Sequence, residues 1–149
     1  MRKIILIISL IVGCSKTPTD VPLDSQNDVE AIVTFSVNMS VQISSGNFNE
    51  SSDFIDIAGS FNNWEGGSEY YLLENENNIY EVSFTSFSIG DIIEYKYRIV
   101  TSSGINWESI SEDDCTSCIV DTDGYVNRTH IIQVGQNNLS CWYNEQGEN

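Results

Sequence analysis

Between Val33 and Ile43 every odd position is apolar (Val33, Phe35, Val37, Met39, Val41, Ile43), while Thr34, Ser36, Asn38, Ser40 and Gln42 between them are polar. A period of two puts the first set on one face of a pleated strand and the second on the other. This stretch is therefore expected to be one long strand with a wet face. Similar runs recur at 53–59, 69–73, 79–85, 92–100 and 126–134. They are separated by Asn-Phe-Asn-Glu-Ser-Ser, Asn-Asn-Trp-Glu-Gly-Gly, Glu-Asn-Glu-Asn-Asn and Ser-Ile-Gly-Asp, the residue types of tight turns. No window repeats with a helical period. Six or seven short strands within roughly 100 residues are expected to build an all-β, immunoglobulin-like antiparallel β-sandwich of about seven strands.

The N-terminus has a different character. Arg2-Lys3 precede an apolar run from Ile4 to Val12, which is closed by Gly13-Cys14. This is the pattern of an export signal, and the run is too short for a bilayer core of roughly 30 Å, which needs about 20 residues. Ile11-Val12-Gly13-Cys14 resembles the lipobox of bacterial lipoproteins, in which the Cys becomes the lipidated first residue. The alternative is ordinary cleavage nearby with loss of Cys14. The expected organisation is a signal peptide at 1–13, a lipidated flexible tether at 14–30, one module at 31–137 and a C-terminal tail at 138–149. Both prolines fall in the tether. A segment of that length would hold the domain roughly 20 Å from its anchor. Ser15, in place of an Asp, gives no signal for retention at an inner membrane, so export to the outer membrane and the cell surface is expected.

Charge narrows the class of partner. Without residues 1–13 the chain keeps Lys16, Lys96, Arg98 and Arg128 against all 22 carboxylates, a net charge of −18 where the full chain carries −16. Such a field opposes nucleic acid, anionic polysaccharide and anionic lipid headgroups, and is compatible with neutral ligands. Most of these carboxylates need no role beyond solubility.

Alternation also assigns faces. Along 92–100, Ile93, Tyr95, Tyr97 and Ile99 share one side and Glu94, Lys96 and Arg98 the other. The tyrosine side is the better core face, so Lys96 is expected to reach outward from a rigid platform. Asn127 falls opposite Val126, Arg128 and His130. Trp64 lies in a turn after a strand, and Trp107 follows the turn at Ser102-Ser103-Gly104. These rings are either platforms for a ligand or packing at the rim of the core. Likewise, Lys96 is either a ligand contact or the partner of Glu94 or of neighbouring Asp residues in a cross-strand ion pair. Two indoles, an ammonium and a carboxamide suit a pyranose, whose apolar face stacks on aromatic surface and whose hydroxyl edge takes hydrogen bonds.

The order Gly59-Ser60-Phe61-Asn62-Asn63-Trp64, Glu94-Tyr95-Lys96-Tyr97, Asn106-Trp107-Glu108 and Val126-Asn127-Arg128, with Ile131-Ile132-Gln133-Val134 following, resembles the starch- and glycogen-binding modules of carbohydrate-binding module families 20 and 48. These include the glycogen-binding domain of AMP-activated protein kinase. The resemblance covers about residues 31 to 135. It implies an immunoglobulin-like module that binds α-1,4-glucan without enzymatic activity, with Trp64 and Trp107 as ring platforms and Lys96 and Asn127 bonding sugar hydroxyls. Glu108 is carried over from family 20. The departure is the link from Glu108 to Val126, which holds Cys115, Cys118 and the acids Glu112, Asp113, Asp114, Asp121 and Asp123. That loop either frames the site, covers it or replaces its specificity.

With Cys14 lipidated, three thiols remain, and in an exported chain one disulfide and one odd Cys are expected. Cys115 or Cys118 joined to Cys141 is favoured over Cys115 joined to Cys118. No metal or cofactor is expected. A zinc set of Cys115, Cys118, His130 and Cys141 suits an oxidising compartment poorly, and Asp121-Thr122-Asp123-Gly124 lacks the further ligands of a calcium loop and reads as a turn. His130 reads as structural, and a domain this small rarely offers the deep cleft with paired carboxylates that glycoside hydrolysis requires. Two other classes remain open. One is a protein-interaction or adhesion module of a surface complex, and the other a small hydrolase.

Overall fold

The computed structural model describes residues 30–145. The expected signal peptide, Cys14 and the expected tether up to residue 29 lie outside the described residues, as do 146–149. The strands are β1 (Ala31–Asn38), β2 (Phe54–Gly59), β3 (Tyr71–Glu74), β4 (Ile79–Phe84), β5 (Ile92–Thr101), β6 (Gly104–Trp107), β7 (Cys118–Val120), β8 (Val126–Ile131) and β9 (Gly135–Trp142). One short helix, α1 (Ser40–Ser44), follows β1. Among the described residues no helix is long and apolar enough to cross a membrane.

The strands form a curled, mixed, all-β sheet in the order β7-β8-β5-β2-β3-β4-β1-β9, with β6 added beside β5. The curl is centred on β3. Tyr71 and Leu72 pair with β2, whereas Leu73 and Glu74 pair with β4, so this strand hands the sheet from one arm to the other. The arms enclose one core. The Tyr97 hydroxyl on β5 donates to the carbonyls of Ser36 on β1 and Leu139 on β9, at 3.2 and 3.4 Å. The Phe35 and Tyr95 rings meet edge to face at 5.0 Å. Burying Val33, Phe35, Val37, Ile55, Ile57, Tyr97 and Ile99 together supplies about 1.5–3 kcal/mol per large side chain before the cost of ordering the chain.

Three sequence expectations are corrected. The first strand does not run to Ile43 but stops at Asn38, whose Oδ1 accepts from the Ser40 amide and turns the chain into α1. Met39 and Ile43 still meet the core, because a spacing of four is two strand repeats and also about one helical turn. The sheet has nine strands, and it is not purely antiparallel, because β9 runs parallel to β1 from Ala31↔Gly135 to Asn38↔Trp142. Only 132–134 separate β8 from β9, and over those residues the chain both reverses and changes arms, which sets β9 in the direction of β1. Residues 138–142, expected in the tail, are part of this strand.

The disulfide is the third correction. Cys115 pairs with Cys118, their Cα atoms 5.7 Å apart, and Cys141 is free. Position explains the outcome. Cys118 opens β7 at one end of the sheet order, while Cys141 lies on β9 at the other end, its Sγ directed at the Ser36 carbonyl.

Candidate functional site

The motif from Gly59 to Trp64 divides between scaffold and site. Gly59 pairs with Tyr95, and a Cβ there would collide with the Glu94 carbonyl. Phe61 packs toward Phe35 at 5.7 Å. Asn62 locks the turn, its Oδ1 accepting from the Gly59 amide at 2.8 Å and its Nδ2 donating to the Ile57 carbonyl at 3.0 Å. Asn63 and Trp64 then both adopt left-handed backbone, with φ of 54° and 63°. Asn tolerates this region, but a bulky residue there is uncommon and is held only where its surroundings require it. The reversal projects a half-buried Trp64 ring out of the turn.

Trp107 ends β6 in register with Arg98 of β5, and is 43% exposed. Its ring centroid lies 4.8 Å from the Arg98 guanidinium and 6.3 Å from that of Trp64, the two indole planes inclined at 47°. Arg98 is fully committed. It grips buried Asp56 through Nε–Oδ1 at 2.7 Å and Nη2–Oδ2 at 2.5 Å, and also donates to the Glu65 carbonyl. The Trp107 ring therefore rests on a fixed, planar cation.

β6 and β8 share one edge of β5 end to end, β6 against 98–101 and β8 against 92–95. Glu108 fills the gap between them. Its amide donates to the Tyr97 carbonyl at 3.0 Å, and its Oε1 accepts from the Tyr97 amide at 2.8 Å. The same carboxylate accepts from Nε and Nη2 of Arg128, which also pairs with Glu145. Full burial pushes the Glu108 carboxyl above its ordinary range, against the pull of Arg128, the Tyr97 amide and Lys96. Expected as a sugar contact, Glu108 lines the pocket wall but spends its oxygens clasping β5 to β8.

Lys96 sits beside that junction. The expectation of an outward-reaching side chain is corrected, because the residue is only 9% exposed, covered by the elements that follow β5. Among the described residues no carboxylate is within ion-pairing distance of it, so the pair with Glu94 does not form. Its Nζ lies 5.8 Å from the centroid of the Tyr125 ring. Burial lowers its pKa below 10.5, with Glu108 and Asp121 opposing that shift. Glu94 is bonded instead to Asn127, whose Nδ2 donates to Glu94 Oε2 at 3.2 Å and to Asp121 Oδ2 at 3.3 Å. Asn127 is thus buried, with its amide hydrogens already directed at carboxylates.

These positions converge. Trp64, Lys96, Trp107, Glu108 and Asn127, drawn from the turn after β2, from β5, from the end of β6 and from β8, line one pocket of about 740 Å³. The loop from 109 to 125 frames it. Ser109, Ile110, Asp121, Asp123, Gly124, Tyr125 and Val126 complete the wall. Asp121-Thr122-Asp123-Gly124 does form a turn, closing the β7–β8 hairpin. Asp121 Oδ1 accepts from the amides of Asp123 and Tyr125, both at 2.9 Å. The Tyr125 amide above all, with the Asp123 amide and Asn127, holds the Asp121 carboxyl below its usual range. Tyr125, 63% exposed, is an aromatic lining residue that the sequence reading passed over. Its signal was an aromatic side chain directly after a turn and two positions before Asn127. No protein-family model matches this chain, and no curated protein matches it significantly in sequence.

No metal-ligating cluster occurs among the described residues. His130 bonds Asn137 through Nε2 at 2.9 Å, and Asn137 ties 133–135 to β1. Chemically, the pocket offers three aromatic rings, one cation without an ion partner among the described residues, and several acceptors. That inventory suits a neutral, polyhydroxylated ligand with apolar faces.

Proposed function

We propose that this protein binds neutral α-glucan, such as starch, glycogen or maltodextrin, without acting on it. The observation that carries the reading is the convergence of Trp64, Lys96, Trp107 and Asn127 from four separate elements on one pocket. The inclined indoles match a curved chain of pyranose rings, and Lys96 supplies a charged donor to hydroxyls. Absence of catalysis is supported by the commitment of two of the three pocket carboxylates, Glu108 to Arg128 and the Tyr97 amide, and Asp121 to its own turn and Asn127. We read the curled sheet as an immunoglobulin-like sandwich, supported by the contact of its arms through Tyr97. Anchored through a lipid on Cys14 at the outer membrane, such a module would retain glucan near other surface machinery. Two platforms and a few hydrogen bonds, set against the cost of immobilisation, correspond to a Kd of roughly 10 µM to 1 mM. Titration of tryptophan fluorescence with maltoheptaose tests it. No response, together with no retardation in a starch gel, would sink the proposal.

A second reading rests on β7. This strand is at the end of the sheet order and exposes Ile119 and Val120, and an apolar edge strand is a surface on which another chain can dock. Partner proteins lost on deleting 109–125, with glucan binding unchanged, would favour that role.

A further inference from the structure

We propose that Tyr125 forms an additional sugar subsite, so that a bound glucan extends from the indole pair past Lys96 to the β7–β8 hairpin. The proposal rests on the glucan reading above and extends it to the length of the ligand. The shared pocket carries it. The centre of the Tyr125 ring lies 5.8 Å from Lys96 Nζ, and Tyr125, Lys96, Trp64 and Trp107 line the same cavity. Tyr125 is more exposed than Trp107.

The hairpin is built to hold Tyr125 there. The Tyr125 amide donates to Asp121 Oδ1 and its carbonyl accepts from the Asp121 amide, each at 2.9 Å. The Cys115–Cys118 disulfide fixes the chain where β7 begins, and the Thr129 amide bonds the Ser117 carbonyl at 2.8 Å. A large aromatic ring exposed at a restrained turn loses little conformational entropy on stacking, which is what a ligand platform needs. Asp123 stands beside it in the pocket wall as an acceptor for hydroxyls.

A terminal subsite makes itself known through ligand length. Maltotriose can occupy the indole pair alone, whereas maltoheptaose reaches the hairpin. In titrations followed by tryptophan fluorescence, the wild-type chain is expected to prefer maltoheptaose to maltotriose. Tyr125→Ala should weaken maltoheptaose binding roughly three- to tenfold and leave maltotriose within about twofold, while Tyr125→Phe keeps the preference. A preference for the longer chain that survives Tyr125→Ala would overturn the subsite alone. Failure of the wild-type chain to bind either oligosaccharide would overturn the glucan reading and the subsite with it.

Discussion

Arg98 holds its guanidinium 4.8 Å from the centre of the Trp107 ring while binding Asp56 through two parallel hydrogen bonds of 2.7 and 2.5 Å. The acid, the cation and the indole form a stack whose outer member faces the pocket. Removing Asp56 leaves Arg98 buried without its counter-charge, and breaking such a pair by deleting one partner typically costs about 3–5 kcal/mol. Asp56→Ala is therefore expected to lose about that much in urea unfolding. A loss below about 1 kcal/mol would mean that the guanidinium finds another partner and that the stack is not the support of Trp107.

Gly66 guards the same stack from the side. Its φ is +61°, and a Cβ there would run into Nη2 of Arg98 and Oδ2 of Asp56. The obstructing nitrogen is not free to swing away, since Asp56 and the Glu65 carbonyl hold it. Gly66→Ala combines left-handed backbone with this collision, so it should destabilise the protein by about 1–3 kcal/mol. It should also weaken maltoheptaose binding through misplacement of Trp107. Thermal unfolding with a parallel titration measures both, and unchanged values would show that the turn relaxes at no cost.

The two indoles carry most of the affinity in the proposed function. Trp64→Ala and Trp107→Ala each remove a stacking face and should each weaken maltoheptaose binding about tenfold or more. Trp64→Ala should leave the unfolding transition nearly unaltered, because the scaffold part of its turn is Gly59, Phe61 and Asn62. Isothermal titration calorimetry serves here, since the fluorescent reporter is itself removed. Retained affinity in both variants would assign the rings to packing.

How much of this was legible in the sequence depends on whether the deciding contacts are local. The alternation through Val33, Phe35 and Val37 marks a true core face, because a pleat assigns faces from one strand alone. The same rule put Ile93, Tyr95, Tyr97 and Ile99 in the core, where they are. Lys96 and Arg98 take the opposite face, as alternation requires, but Lys96 does not reach outward there, since residues 107–127 wall the pocket around it. Strand β9 was hidden for a related reason. Gln136, Asn137, Asn138 and Ser140 interrupt any apolar pattern, and its place beside β1 comes from closure of the two arms. The pairing of Cys115 with Cys118 likewise follows from where Cys141 ends up, which spacing along the chain does not reveal. Glu108 was noticed for its position after Trp107, yet its role comes from Arg128, twenty residues away.

Glu108 permits a clean separation of scaffold from ligand contact. Its carboxylate is buried and takes hydrogen bonds from Tyr97 and Arg128. Glu108→Ala should cost about 3–5 kcal/mol in urea unfolding, because Arg128 loses its buried counter-charge and keeps only Glu145 and the Trp142 carbonyl. The fraction that remains folded should still bind maltoheptaose within about threefold of wild type. Glu108→Gln preserves the acceptor for the Tyr97 amide and should fall between the two in stability. Normal stability with lost binding would reverse the assignment and make Glu108 a direct sugar contact.

Lys96 ties the pocket to pH. Burial holds its ammonium below the ordinary value of 10.5, with Arg128 acting in the same direction against Glu108 and Asp121. Between that lowered value and 10.5 the unfolded chain binds a proton that the folded chain has released, so this residue's contribution to stability rises with pH across the window. Affinity moves the other way, because the charged donor to a sugar hydroxyl disappears in the folded protein at a lower pH than it would from free lysine. Maltoheptaose affinity is expected to fall about two- to fivefold as the pH rises, with a midpoint below 10.5. Tryptophan quenching between neutral pH and pH ~11 reads this, the upper limit lying just above the ordinary lysine value. Lys96→Met should bind more weakly near neutrality and lose the alkaline decline, and a variant that kept the decline would assign it to another group.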